Sequence, residues 1–223
     1  MKKKIKLFFL FFLMINYRVF TFDCPDGYTM HTLVKVFDCQ PALCERCTVA
    51  IPFCCKWNTE THQLDIIFED EWAYFLRWSL CCYYLLLDTA VFENFLDSVL
   101  ISSAEDICHG QYPPCDHPTR KYYEVVIAKP ICVYYKNTFE PPLPGEEPMW
   151  LLKVRRCANN AYCYKKYRVC KDYAQNPPQI VKTLVEVYVS SHCEETECPT
   201  SLPPTGKSWE EEWETGCCYR GCQ

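Results

Sequence analysis

The chain has 223 residues, of which 23 are Lys or Arg and 28 are Asp or Glu, giving a formal net charge of −5. Five of the basic residues lie within residues 1–21, so 18 basic against 28 acidic side chains remain beyond that segment, a net charge of about −10. A chain of this charge lacks the basic face that neutralises phosphates, which argues against binding to nucleic acid or to anionic membrane surfaces.

The N-terminus has the features of a secretory signal peptide. Four lysines within residues 2–6 precede the apolar run Leu7–Ile15, and a basic region followed by an apolar stretch of this length is typical of an exported chain. The run is shorter than the ~20 residues that cross a bilayer as a helix. We therefore expect cleavage after Thr21, with Val19 as the other small residue of the site, and no stable membrane insertion afterwards. An uncleaved anchor is the alternative.

Cysteine usage indicates the compartment. All 19 cysteines lie beyond the apolar run, and this density in an exported chain predicts a disulfide framework in a secreted, cell-surface or periplasmic protein. An odd number leaves one cysteine over. We expect either self-association or a covalent dimer through that unpaired cysteine, or a buried, inert thiol. The predicted disulfide members are Cys24, Cys39, Cys44, Cys47, Cys54, Cys55, Cys81, Cys82, Cys108, Cys115, Cys132, Cys157, Cys163, Cys170, Cys193, Cys198, Cys217, Cys218 and Cys222.

The first half of the chain predicts strands followed by a helical pair. Alternating apolar residues favour short strands near 31–37, 49–54 and 63–68. A long apolar stretch without Gly or Pro then predicts a helix over about 70–86. Apolar residues at helical spacing after Asp88, which can cap a helix, predict a second over about 88–102.

The second half predicts mainly antiparallel strands. Residues 108–118 and the proline-rich 140–148 are expected to be loops. β-Branched and aromatic residues predict one bent strand or two within 122–135. The pattern predicts further strands over 150–157, 162–173 and 179–189.

Together these elements predict an α+β fold, a disulfide-rich secreted protein that is mainly antiparallel β-sheet with the helical pair inserted. The expected order is an N-terminal sheet, the helices, and a separate, larger sheet. The predicted organisation is a signal peptide at 1–21, N-terminal strands with the helical pair at 22–110, an antiparallel β region at 111–192 and a Cys/Pro/Glu-rich tail at 193–223.

No motif predicts catalytic, cofactor-binding or metal-ligating residues, and no cofactor is expected. The sequence contains neither G-x-S-x-G nor H-E-x-x-H. Cys44 and Cys47 have C-x-x-C spacing, but no βαβ context surrounds them, so we interpret them as disulfide members. Leu202–Gly206 resembles a sortase cell-wall anchoring signal, LPxTG. The chain that follows is acidic and lacks the hydrophobic segment of such signals, so a proline-rich turn is expected.

Acidic and aromatic residues leave a second functional class open. A glycosidase needs a carboxylate pair, and the acidic groups that qualify by residue type are Glu69, Asp70, Glu71, Glu210, Glu211, Glu212 and Glu214. Tyrosines recur on the predicted strands, where outward rings suit protein interfaces or sugar stacking and inward rings suit cross-strand packing. The favoured hypothesis is a non-enzymatic extracellular structural, adhesive or surface-assembly protein. The alternative is a secreted polysaccharide-binding module or carbohydrate-active enzyme.

Overall fold

The computed structural model describes residues 23–38, 46–76, 79–141, 145 and 147–222, and these form one sheet with two helices against it. The predicted signal peptide lies outside the described residues. Neither described helix is both long enough and apolar enough to cross a membrane. The elements are β1 (Thr29–Asp38), β2 (Arg46–Asn58), β3 (Gln63–Ile67), β4 (Glu71–Phe75), α1 (Leu80–Leu87), α2 (Thr89–Ile107), β5 (Tyr123–Pro130), β6 (Cys132–Glu140), β7 (Met149–Arg156), β8 (Tyr162–Asp172), β9 (Gln179–Val189), β10 (Trp213–Glu214) and β11 (Cys218–Tyr219).

The sheet divides into two runs at β2. One edge of β2 pairs with β1 along its length, and its other edge pairs with β3 at one end and with β4 at the other. From β3 the sheet continues through β5 and β8 to β9, and from β4 it continues through β7 to β6, which carries β10 and β11. All described pairs are antiparallel except β3 with β5, whose connection contains both helices.

The main core lies between the helices and one face of the sheet. In β2 the alternate residues Val49, Ile51 and Phe53 are buried on this face. Phe92 of α2 packs against the ring of Phe75 in β4, with ring centroids 5.6 Å apart. Burying such side chains removes apolar surface from water, which is the dominant favourable term in folding.

Both helices begin at capping side chains. The Ser79 hydroxyl accepts a hydrogen bond from the N–H of Cys82, and the Asp88 carboxylate accepts one from the N–H of Val91. These caps satisfy N–H groups that the first turn of a helix leaves without a partner. The helical pair is confirmed, but the first helix starts at residue 80 rather than 70, because residues 71–75 pair with both β2 and β7 as β4.

The sheet also differs from the two separate sheets that we expected. The parallel pairing of β3 with β5 joins the strands before the helices to those after them. Residues 122–135 form parts of two strands, β5 and β6, separated at Ile131. A parallel connection needs a crossover long enough to return to the same end of the sheet, and α1 and α2 provide it here.

Disulfides connect almost every part of the fold. Adjacent cysteines bond to separate partners: Cys54 and Cys55 bond to Cys24 and Cys108. All 17 cysteines of the described residues are bonded: 16 of them form eight bonds with one another, and Cys81 is bonded as well. Cys39 and Cys44 lie outside the described residues. The eight bonds within the described residues are Cys24–Cys54, Cys47–Cys82, Cys55–Cys108, Cys115–Cys170, Cys132–Cys193, Cys157–Cys217, Cys163–Cys222 and Cys198–Cys218.

The C-terminal tail is part of the folded body. The guanidinium of Arg220 is buried, donates to the Tyr135 hydroxyl at 2.8 Å and to the Leu86 carbonyl at 3.2 Å, and lies over the ring of Phe92. Leu202 reaches the main core. The resemblance to an anchoring signal therefore falls on a segment whose first residue is buried in the core, while Thr205 and Gly206 are exposed.

Candidate functional site

A cluster of charged side chains is buried between α2 and the sheet. Glu93 and Asp97 lie one turn apart on α2, opposite Lys129 of β5 and Lys165 of β8. The Lys129 ammonium contacts Glu93 and lies 2.8 Å from Asp97 Oδ1, and Lys165 Nζ lies 3.2 Å from Asp97 Oδ2. The Tyr167 hydroxyl donates to Asp97 Oδ2 at 2.6 Å. We call these five residues the buried charge cluster.

Within the cluster, Asp97 and Lys129 favour their charged forms although both are out of water. Burial alone would raise the pKa of the Asp97 carboxyl, but Lys129, Lys165 and the hydrogen bond from Tyr167 hold that pKa below its ordinary 3.8. Burial opposes the ammonium of Lys129, yet Glu93 and Asp97 raise its pKa above the ordinary 10.5. Burial and the Asp97 charge raise the pKa of Tyr167, so this hydroxyl remains a donor.

The buried charge cluster acts on the packing of α2 against the sheet. None of its members lines the three cavities, of about 250, 660 and 260 Å³, found among the described residues. A shift of α2 by one turn would leave these charges buried without partners, which is strongly unfavourable. The cluster therefore fixes the position of α2 over β5 and β8.

The largest of these cavities lies between α2 and β9, and its two lysines contact neighbouring side chains. Lys182 Nζ donates to the Ser98 hydroxyl at 2.7 Å, and Lys171 Nζ lies 2.5 Å from Glu105 Oε2. Burial is the main cause that lowers the pKa of Lys182. Both lysines of the described wall are therefore engaged by neighbouring side chains, whereas Asp106 on the same wall is exposed.

The outermost strand of this part of the sheet is unusually apolar for an exposed element. Among the described residues β9 pairs only with β8, and none of its residues is fully buried. Charged or shielded edges are the usual protection against pairing with another chain, and here only Lys182 and Glu186 are charged. We call the six large apolar residues that are 41–49% exposed the β9 edge: Val181, Leu184, Val185, Val187, Tyr188 and Val189.

Aromatic side chains line the face of the sheet away from α2. The rings of Tyr164 and Tyr188 stack with centroids 4.8 Å apart, and Tyr162 lies 6.2 Å from Tyr164. Tyr135 and Tyr167 instead point into the main core. Tyrosines therefore occur on both faces, and Tyr188 belongs both to the outer tyrosine row and to the β9 edge.

Of the acidic residues considered for glycoside hydrolysis, those whose side chains the structure describes line none of the three cavities above. Glu69 Oε2 and Asp70 Oδ1 lie 3.6 and 2.7 Å from the same Arg156 nitrogen. Burial is the main cause that raises the pKa of Glu69, but neither residue lines the three cavities. In the tail, Glu211 accepts from the N–H of Ser208 and Glu212 approaches the Thr138 hydroxyl. Glu210 and Glu214 are exposed, and the Glu71 side chain lies outside the described part of the structure.

The sequence did not predict that two histidines would line the same cavity. His31 of β1 and His109 line the cavity of about 260 Å³, beside the disulfide between Cys55 and Cys108. Burial and the neighbouring His109 lower the pKa of His31. Among the described residues, no group of three or more His, Cys, Asp or Glu side chains is arranged to hold a metal ion. Cys47 bonds to Cys82, so it does not form a C-x-x-C bond with Cys44.

Comparison with protein-family models, with curated proteins and with solved structures found no match. The structure itself therefore carries the functional argument. Many disulfides within a mainly antiparallel α+β fold suit a stable protein of an extracellular, oxidising environment.

Proposed function

We propose that this chain is a non-enzymatic extracellular structural protein that works by assembly at a surface. The observation that carries the proposal is the β9 edge, whose six apolar side chains are 41–49% exposed on an outermost strand. Contiguous exposed apolar residues on a soluble protein mark interaction sites, and an open strand edge adds backbone groups that can pair with another chain.

The rigidity of the surrounding body supports the same function. β8, the only described neighbour of β9, is tied to the loop before β5 by Cys115–Cys170 and to the tail by Cys163–Cys222. The buried charge cluster fixes α2 against β8. A strand held in place before binding loses little conformational freedom on binding, which favours association.

The test is association of the purified, thiol-blocked protein, measured by size-exclusion chromatography with light scattering over a range of concentrations. We expect the apparent mass to rise with concentration, and Val187→Lys to reduce that rise because it places a charge on the β9 edge. Val91→Lys is the matched control, since Val91 is 40% exposed but lies on α2. A monomer at every concentration, or equal effects of both substitutions, would contradict the proposal.

Polysaccharide binding is the second candidate, favoured by the tyrosine row on the outer face. The ring of Tyr188 is 46% exposed beside the stacked ring of Tyr164, and exposed aromatic faces can stack on sugars. Binding to insoluble polysaccharides that is lost in Tyr188→Ala and kept in Val187→Lys would favour this candidate over assembly.

A further inference from the structure

Two outermost strands of the sheet carry nearly the same six residues. In the run β1–β2–β3–β5–β8–β9, β1 and β9 lie at opposite ends, and each pairs on one side only among the described strands. Thr32–Phe37 reads TLVKVF and Thr183–Tyr188 reads TLVEVY. The segments differ at two positions, and one difference reverses the charge, with Lys35 in β1 and Glu186 in β9.

The backbone of β9 has open hydrogen-bonding groups at defined positions. The N–H of Ser190 donates to the carbonyl of Tyr162 in β8 at 2.9 Å. Since successive residues of an antiparallel strand direct their peptide groups to alternate sides, Val187 and Val189 direct theirs away from β8. Their side chains are 42% and 41% exposed.

The backbone of β1 is open in the same way. The N–H of Leu76 donates to the Thr48 carbonyl at 3.0 Å, so Thr48 of β2 directs its peptide group away from β1. Val36 lies opposite Thr48 in the register, and therefore Val36 and Val34 direct their own peptide groups to the open side. Their side chains are 49% and 42% exposed.

We infer that β1 of one molecule pairs antiparallel with β9 of a second copy of this chain, with Lys35 opposite Glu186. This inference rests on the proposed function and names its partner. In this register Val34 and Thr32 of one copy lie opposite Val187 and Val189 of the next, so the open peptide groups of both strands meet there. The register shift of β9 between Leu184 and Glu186 lies beyond this regular part of the pairing. Lys35 and Glu186 then form a pair without mutual backbone hydrogen bonds, the kind in which side chains lie closest.

The charges select the antiparallel direction. Lys35 lies opposite Val49, on the helix-covered face of β1, whereas Glu186 lies opposite Lys166, on the other face of β9. A molecule added antiparallel at this edge is turned over, which brings the two charges to the same face of the joined sheet. A parallel neighbour would leave them on opposite faces. Neither Lys35 nor Glu186 has an ion pair with another described residue.

The occupant is a second copy because the complementary edge is on the same chain. Pairing β1 with β1 in a register that joins the open peptide groups places no acidic residue opposite Lys35. Pairing β9 with β9 gives Glu186 no lysine on its own face, because the register of β9 shifts between Leu184 and Glu186 and Lys182 lies opposite Val169, on the helix-covered face. The β1–β9 contact uses two different edges of the molecule, so repetition extends the sheet rather than closing a symmetric dimer. The helices of successive copies then lie on alternating faces.

The test is charge reversal measured by sedimentation velocity on the thiol-blocked protein. Lys35→Glu and Glu186→Lys each place like charges opposite, and we expect each to raise the concentration of half-assembly about fivefold or more. The double variant Lys35→Glu/Glu186→Lys restores opposite charges and should assemble as the wild type does. An equimolar mixture of the two single variants should assemble better than either alone.

The outcomes separate this inference from the proposed function. Wild-type assembly that is unchanged by both reversals, or a double variant as impaired as the single ones, overturns the β1–β9 pairing and leaves surface assembly standing. A wild-type protein that stays monomeric at every concentration overturns both. Circular dichroism of each variant verifies that the fold is retained.

Discussion

Replacing Asp97 by asparagine tests whether the buried charge cluster holds α2 in place. The substitution keeps the size of the side chain but leaves Lys129 and Lys165 facing the single negative charge of Glu93. Asp97 is 0% exposed, so water cannot compensate the excess charge. Removing one partner of a buried ion pair costs about 3–5 kcal/mol. With a guanidinium m-value of about 5 kcal/mol/M, the unfolding midpoint should fall by about 0.6–1 M.

The measurement is equilibrium unfolding in guanidinium chloride with the disulfides intact. Asp106→Asn is the matched control, because it makes the same chemical change at an exposed position of α2, and it should change stability by less than about 0.5 kcal/mol. Adding Lys165→Met to Asp97→Asn restores neutrality and should lower stability by less than the two single losses combined. Equal midpoints for Asp97→Asn and Asp106→Asn would refute the assigned role.

Three further predictions concern other parts of the molecule. A Cβ added to Gly110 would overlap the indole of Trp57, so Gly110→Ala should destabilise by about 1–3 kcal/mol in the same unfolding assay, whereas Gly216→Ala, with open space around it, should not. Alkylation without reductant followed by peptide mapping should label the monomer only within Val36–Arg46, because every described cysteine is bonded; label elsewhere contradicts the assigned bonds. The folded-state pKa of Asp97 lies below its ordinary 3.8. The contribution of Asp97 to the free energy of unfolding is therefore complete above pH 3.8 and is lost as the pH falls through the folded pKa. The difference in stability between wild type and Asp97→Asn should narrow only in acid, and a constant difference down to pH 2 contradicts the lowered pKa.

Local patterns predicted the elements whose periodicity was clear. The strand over Gln179–Val189 and the cap of α2 at Asp88 were both predicted from the sequence, because strict alternation and helical spacing after a capping residue each have one interpretation. Residues 71–75 were predicted as part of a helix but form β4. An apolar run without clear periodicity does not distinguish a buried strand from a buried helix, and Ser79, which caps α1, gave the available signal.

The candidate sites depend on contacts that sequence spacing does not show. Glu93 and Asp97 are one helical turn apart, but their partners Lys129 and Lys165 lie 32 and 68 residues from Asp97. The sequence shows that β1 and β9 contain similar hexapeptides, but only the sheet order shows that both strands are outermost. Local elements could therefore be predicted from the sequence, whereas contacts between residues far apart in the chain could not.

The bonds between the tail and the body can form only after the tail cysteines have been synthesised. Three of them span 61, 60 and 59 residues, from Cys132, Cys157 and Cys163 to cysteines of the tail. At translation rates of about 5–20 residues per second, each of these thiols waits several seconds for its partner. A chain that stops before Cys193 keeps all three thiols without their partners. Such an incomplete product therefore exposes free thiols that are bonded once the tail cysteines are present.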